Sequence, residues 1–247
     1  MATVRENLHL RSDNFFFTGM AIVALIVVLI GFAHTYFLAG LFRAPLPNLL
    51  VHIHAVAFVL WVILFIAQVS LVTTGRVTLH RRLGAFGLVV AIAVVVLGTV
   101  TASDSLARHV AQPGTDTVEG VRAFYAVPVR AMLMFSAFVY LGYRNRFQPA
   151  VHKRLMWFAT LVLLEAGFDR WPVFDRYSLP VVNLVSFAPL LLVMIGYDWW
   201  STGKVQRVTI WSAIVVVLAQ QISYPLGRTA VWQSFASWVA MHMPSFP

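Results

Sequence analysis

Few side chains in this sequence could do chemistry, and most of the candidates interrupt long apolar runs, where an ionisable group is costly unless it is paired or functional. One set falls toward a single end of those runs: His34, His52, His54, Arg130, Glu165 and Asp169. His34 lies about 28 Å along a helix counted from Phe15, at ~1.5 Å per residue. His52 and His54 stand two positions apart, about 200° around a helix, so they cannot share a face. His54 shares a stripe with Trp61 and Gln68, which makes it the inward one. Glu165 comes about 20 Å up a helix from His152, and Asp169 follows one turn later on the same face. Histidine with carboxylate is a ligand set for Zn, Fe or Cu, so His34, His54, Glu165 and Asp169 form a candidate divalent-metal site. The competing assignment is a structural ion pair between Arg130 and Glu165, with the histidines capping or snorkelling.

A second set is smaller. His80 and His152 each open an apolar run from the same side, so their depths match. Two neutral imidazoles on facing helices are what a six-coordinate haem b needs. Arg81, Arg82, Lys153 and Arg154 beside them are candidates to bind its propionates. The plainer reading makes both H-[RK]-R-L segments anchors that touch anionic lipid head groups. Asp198, next to Trp199 and Trp200, reads as part of an interfacial belt. Gln220 and Gln221 read as interhelical hydrogen-bonding groups.

The elements that must position these residues are transmembrane helices. Of 247 residues, 60% are hydrophobic and 11% charged, against about 25% charged in a soluble domain. Mean hydropathy is +0.81. Lipid is therefore the expected solvent. Seven stretches are apolar enough to span it, at about 15–39, 49–73, 83–103, 123–143, 153–171, 179–200 and 207–225. The fifth is the weakest, because it contains Glu165 and Asp169. The first, about 24 residues long with no A-x-A site after it, reads as a retained span.

The net charge of +9 follows topology and gives no sign of nucleic-acid binding. Arg5, Arg11, Arg76, Arg81, Arg82, Arg144, Arg146, Lys153, Arg154, Lys204 and Arg207 fall on one side. Arg43, Arg108, Arg122, Arg176 and Arg228 fall on the other, with Asp104, Asp116, Glu119 and Asp175. The positive-inside rule makes the first side cytoplasmic. The expectation is one all-α membrane domain over 1–247, with core spans at 50–171, N-terminus in and C-terminus out, in a bacterial inner membrane. The longest loop, 104–121 with Pro113 and Gly114, is external. The tail 228–247 lies along the interface through Val231, Trp232, Phe235, Trp238 and Val239. Gly84, Gly87, Ala91 and Gly98 let helices approach closely.

Several chemistries are excluded. With no cysteine, there are no disulfides, thiolate zinc sites, iron–sulfur clusters or covalent haem attachments. No P-loop, G-x-G-x-x-G, H-E-x-x-H or G-x-S-x-G is present. No lysine lies in the interior of a span to form a retinal Schiff base.

The order of motifs resembles a family of predicted bacterial membrane proteins of unknown function. His54 and Gln68 in one span, then LHRRLGAFG, then HKRLMWFATLVLLEAGFDRW, match its H-R-R-L-G and H-[RK]-R-[LW]-M motifs over about 50–171. The family's arginine late in the second motif helix corresponds to Arg170. The resemblance implies haem binding, by similarity to ascorbate-reducible transmembrane b-type cytochromes, at His54, His80 and His152. An outer haem would also need His34.

The leading expectation is thus a haem- or metal-binding membrane protein with a redox or electron-transfer role. A non-enzymatic accessory subunit touching lipids and other membrane subunits is the first alternative. A small-molecule transporter is the second.

Overall fold

A computed structural model describes residues 2–42, 47–112, 114, 116–174, 176–243 and 246, with side chains from Ser12 onward except those of 179 and 180. Arg43, Pro113 and Asp175 lie outside the described residues, as do the side chains of Arg5 and Arg11. The chain is an all-α polytopic membrane protein, and no strand occurs among the described residues. Its helices are α1 (Ala2–Phe32), α2 (Ala39–Phe42), α3 (Leu49–Thr73), α4 (Val77–Ala111), α5 (Val118–Phe124), α6 (Ala126–Arg144), α7 (Pro149–Leu163), α8 (Glu165–Phe168), α9 (Leu179–Thr202), α10 (Arg207–Gly227) and α11 (Ala230–His242). A π-helical turn, Ala33–Phe37, follows α1.

Six helices are long and apolar enough to cross a membrane among the described residues: Ser12–Phe37, Leu49–Thr73, Val77–Ala111, Val118–Arg144, Val181–Thr202 and Arg207–Gly227. The fifth apolar stretch of the sequence is the exception. It forms α7 and the single turn α8, with the ladder tightening between them: Leu164 N donates to Leu161 O at 3.0 Å and Gly167 N to Leu164 O at 2.9 Å. From Arg154 to Glu165 nearly every residue is buried, because this pair is the axis of the bundle. Phe65 and Trp61 of α3 meet Trp157 and Thr160, and Phe138 of α6 stacks on Phe158. Protein surrounds Glu165 and covers part of Asp169, which is how an apolar stretch can carry both.

Close backbone approach fixes α8 against α1. A Cβ at Gly31 would stand 2.2 Å from the Gly167 carbonyl oxygen, so a hydrogen at each position lets the helices touch backbone to backbone. One hydrophobic cluster joins α1, α3, α4, α6, α7, α8, α9 and α10. Helix starts and stops follow local chemistry: Asn48 caps α3 by accepting from Val51 N at 3.0 Å, and Gly203 ends α9 at φ +70°.

Two boundaries differ from the sequence expectation. Helix α4 runs on to Ala111 through residues assigned to a loop, because Asp104 is buried there and receives Arg108 at 3.0 Å and Asn48 Nδ2 at 3.3 Å. The tail forms α11, but it packs against protein at this end. Ala236 is buried, and Trp232 Nε1 donates to the Arg122 carbonyl at 2.9 Å. Val231, Trp238 and Met241 remain exposed.

Candidate functional sites

At the arginine-rich end, α4 and α7 bring the rings of His80 and His152 together edge on. Their ring centres are 6.2 Å apart and their planes cross at 85°. Each histidine follows its helix start by three residues, so equal register produces equal depth. His152 Nδ1 bonds the Gly142 carbonyl of α6 at 2.8 Å, which orients the ring and leaves Nε2 for a ligand. His80 keeps a buried Nδ1 with no partner while its ring comes within hydrogen-bonding reach of the Gln68 backbone, and Gln68 Oε1 is buried and unpartnered.

The four basic residues expected at haem propionates divide. Arg81 and Arg82 are exposed and meet no carboxylate among the described residues. Arg154 does not reach the rim: it is 2% exposed, and its Nε and Nη2 both bond Asp198 Oδ1. Lys153 is held by Asp13 at 2.5 Å. Both are drawn inward by carboxylates that a propionate would have to displace. Asp198, read from sequence as an interfacial residue, is fully buried and also accepts from Gln206 N at 3.0 Å and Thr209 Oγ1 at 2.5 Å. It clasps α7, α9 and α10 together.

At the opposite end, Arg130 of α6 and Glu165 of α8 form a buried ion pair through Nη2 and Oε2. The pair is only partly satisfied: Arg130 Nε and Nη1 and Glu165 Oε1 are buried without partners. Asp169 lies within electrostatic range of both, with its Oδ1 buried and unpartnered. Asn183 of α9 brings its amide within hydrogen-bonding reach of Glu165. Arg170 places its guanidinium 4.6 Å over the Phe32 ring and acts electrostatically on His54. His54 itself packs on Gly98 of α4 with its Nδ1 unpartnered.

The proposed metal site of His34, His54, Glu165 and Asp169 is not assembled. Among the described residues, no group of three or more His, Cys, Asp or Glu could hold a metal ion. The π turn carries His34 beside Phe42, 6.3 Å between ring centres, while Glu165 is engaged by Arg130. His52 turns away from His54, as their spacing requires, and bonds the Tyr36 hydroxyl at 2.9 Å.

Between the two ends lies Trp61. Its Nε1 donates to Thr160 Oγ1 at 3.3 Å, and its ring meets Phe135 edge to face at 4.8 Å. The α3 stripe His54–Trp61–Gln68 therefore faces the bundle interior along its length.

No family model, curated protein or solved structure matches this chain. The motif resemblance over 50–171 thus stands on the quoted residues alone. Asn183 was not singled out by sequence: one amide near the start of an apolar helix has no period or motif to mark it. Asp198 was noticed but misread, because a carboxylate beside two tryptophans at a helix end has the composition of an interface.

Proposed function

We propose that this protein binds haem b between His80 and His152 and serves in membrane electron transfer. The observation that supports the reading is the close approach of the two imidazoles. Two metal–nitrogen bonds of about 2 Å, plus roughly 1.1 Å from each nitrogen to its ring centre, would set coaxial ring centres about 6.2 Å apart; the observed separation is 6.2 Å, with the ring planes crossing at 85°. Two imidazoles are too few for a resident zinc ion, which takes at least three protein ligands. A haem iron supplies four nitrogens of its own and needs only the axial pair.

When bound, the haem would supply one-electron chemistry. The chain's own residues do the positioning. Gly142 fixes the His152 ring through Nδ1, and the hydrogen bond to its carbonyl raises the basicity of the ligating nitrogen. Arg81 and Arg82 are the cations left for propionates, since Lys153 and Arg154 are committed to Asp13 and Asp198.

The reading includes an orientation. The basic turns at 73–82, 144–153 and 201–206 are cytoplasmic, the bundle sits in a bacterial inner membrane, and the α7–α8 axis is a seventh crossing enclosed by the other six. The C-terminus is then external.

An absorption spectrum of the purified protein, oxidised and dithionite-reduced, tests the haem. A six-coordinate b-type spectrum is expected, lost in His80→Ala and in His152→Ala, with partial return on adding imidazole. A haem-free protein after expression with haem supplied, or an unchanged spectrum in both variants, overturns the reading. Single cysteines introduced into the cysteine-free chain test the orientation separately. A cysteine at position 78 should resist a membrane-impermeant thiol reagent applied to intact cells, and labelling there would reverse the topology.

A further inference from the structure

A groove runs between α9 and α10, with a volume of about 410 Å³. From Asn183 to Ile195 it extends about 18 Å at ~1.5 Å per residue along α9. Its walls are apolar, with Phe187 and Leu191 at the base. Leu184, Leu192, Ile214 and Leu218 form exposed rims, which places its open side toward lipid. No charged residue lines it.

The groove has one polar end. Asn183 and Gln220, one from each helix, are each 3% exposed, and both line it. Asn183 Oδ1 and Gln220 Nε2 are buried with no hydrogen-bond partner. An unpaired acceptor and an unpaired donor, both buried, are costly to leave so, and one polar group could complete both. It must accept one hydrogen bond and donate another, as a hydroxyl does. No cation lines the groove, so nothing in its walls would hold a phosphate head group. Phe187, itself buried, lies at the base, and the 18 Å apolar floor offers a chain a place to lie.

We propose that this groove binds a membrane quinol. Its ring hydroxyl bridges Gln220 Nε2 and Asn183 Oδ1, and its isoprenoid tail follows α9 toward Ile195. After oxidation the ring oxygen still accepts from Gln220 Nε2, so the quinone keeps one of the two hydrogen bonds. The site needs no haem: it is built from α9 and α10, away from His80 and His152.

The test uses the full chain in lipid nanodiscs and a benzoquinol carrying two isoprene units, followed by calorimetric titration. Saturable one-to-one binding is expected. Gln220→Leu removes an unpartnered donor without changing its volume much, so folding should hold while the affinity falls at least tenfold. Ala188→Phe fills the groove beside Phe187 and should abolish binding; an unaltered melting temperature in either variant shows that the site, and not the fold, was lost. His152→Ala should bind the quinol as the parent does, which keeps this result apart from the haem test. Absence of saturable binding overturns the proposal, as does parental affinity in Gln220→Leu and Ala188→Phe. So does binding of a diacylglycerol in place of the quinol, which would make the groove a lipid site.

Discussion

Two buried arginine–carboxylate pairs stand at opposite ends of this bundle, and they are built differently. Arg154 and Asp198 form a closed unit. Asp198 receives two nitrogens of Arg154, the Gln206 amide and the Thr209 hydroxyl, while Arg154 Nη1 reaches the Ala150 carbonyl at 2.6 Å. Arg130 and Glu165 form an open one. A single contact joins them, and Arg130 Nε, Arg130 Nη1 and Glu165 Oε1 are left without partners. A buried ion pair repays its desolvation only when the remaining lone pairs and protons are satisfied. The closed pair meets that condition and fits a structural clasp. The open pair, beside Asp169, Asn183 and Arg170, keeps hydrogen-bonding capacity that water or a ligand can use.

The comparison can be broken most directly at the closed pair. Asp198→Ala strands Arg154 in the core and removes the acceptor shared by three helices, so stability should fall by about 3–5 kcal/mol. Thermal unfolding in detergent measures it, and a loss below that of the next variant would contradict the closed-versus-open distinction. Glu165→Gln breaks the open pair but leaves a polar group to meet Arg130. A smaller loss of about 1.5–3 kcal/mol is expected, the range for a hydrogen bond to a charged group. Unchanged stability would mean that the pair contributes nothing.

Gly31→Ala sharpens the comparison from a neighbouring position. Its Cβ would meet the Gly167 carbonyl two residues from Glu165. Overpacking of this kind costs about 1–3 kcal/mol, and it should shift the environment of Trp171, read by fluorescence. Smallest of all is the double change Arg130→Met with Glu165→Leu. Removing both members of an unsatisfied pair should alter stability by no more than about 1 kcal/mol. A loss as large as that of Asp198→Ala would show that this pair, too, is a structural clasp.

Much of the candidate chemistry was visible in the sequence, for a specific reason. Arg130 and Glu165 stood out because charges are rare in hydrocarbon, and helical rise alone placed them at similar depth. His80 and His152 stood out as matching positions in repeated H-[RK]-R-L segments. Asn183 carried no such mark. The metal grouping failed because depth says nothing of azimuth: His34 and Glu165 lie near one end of the bundle, but each side chain is turned to a different neighbour, Phe42 and Arg130.

By itself the sequence determined the solvent of this protein, its helical class and the side on which its basic residues gather. Those follow from composition and from a period of ~3.6 residues along each helix, both local properties. Only the tertiary structure decided that α7 and α8 are enclosed by the other helices, that Arg154 turns inward to Asp198 while Arg81 and Arg82 stay at the rim, and that His80 meets His152. These depend on the rotation of each helix about its own axis. Contacts between residues far apart in the chain set that rotation, such as Gly31 against Gly167 and Trp61 with Thr160, and no local pattern encodes it.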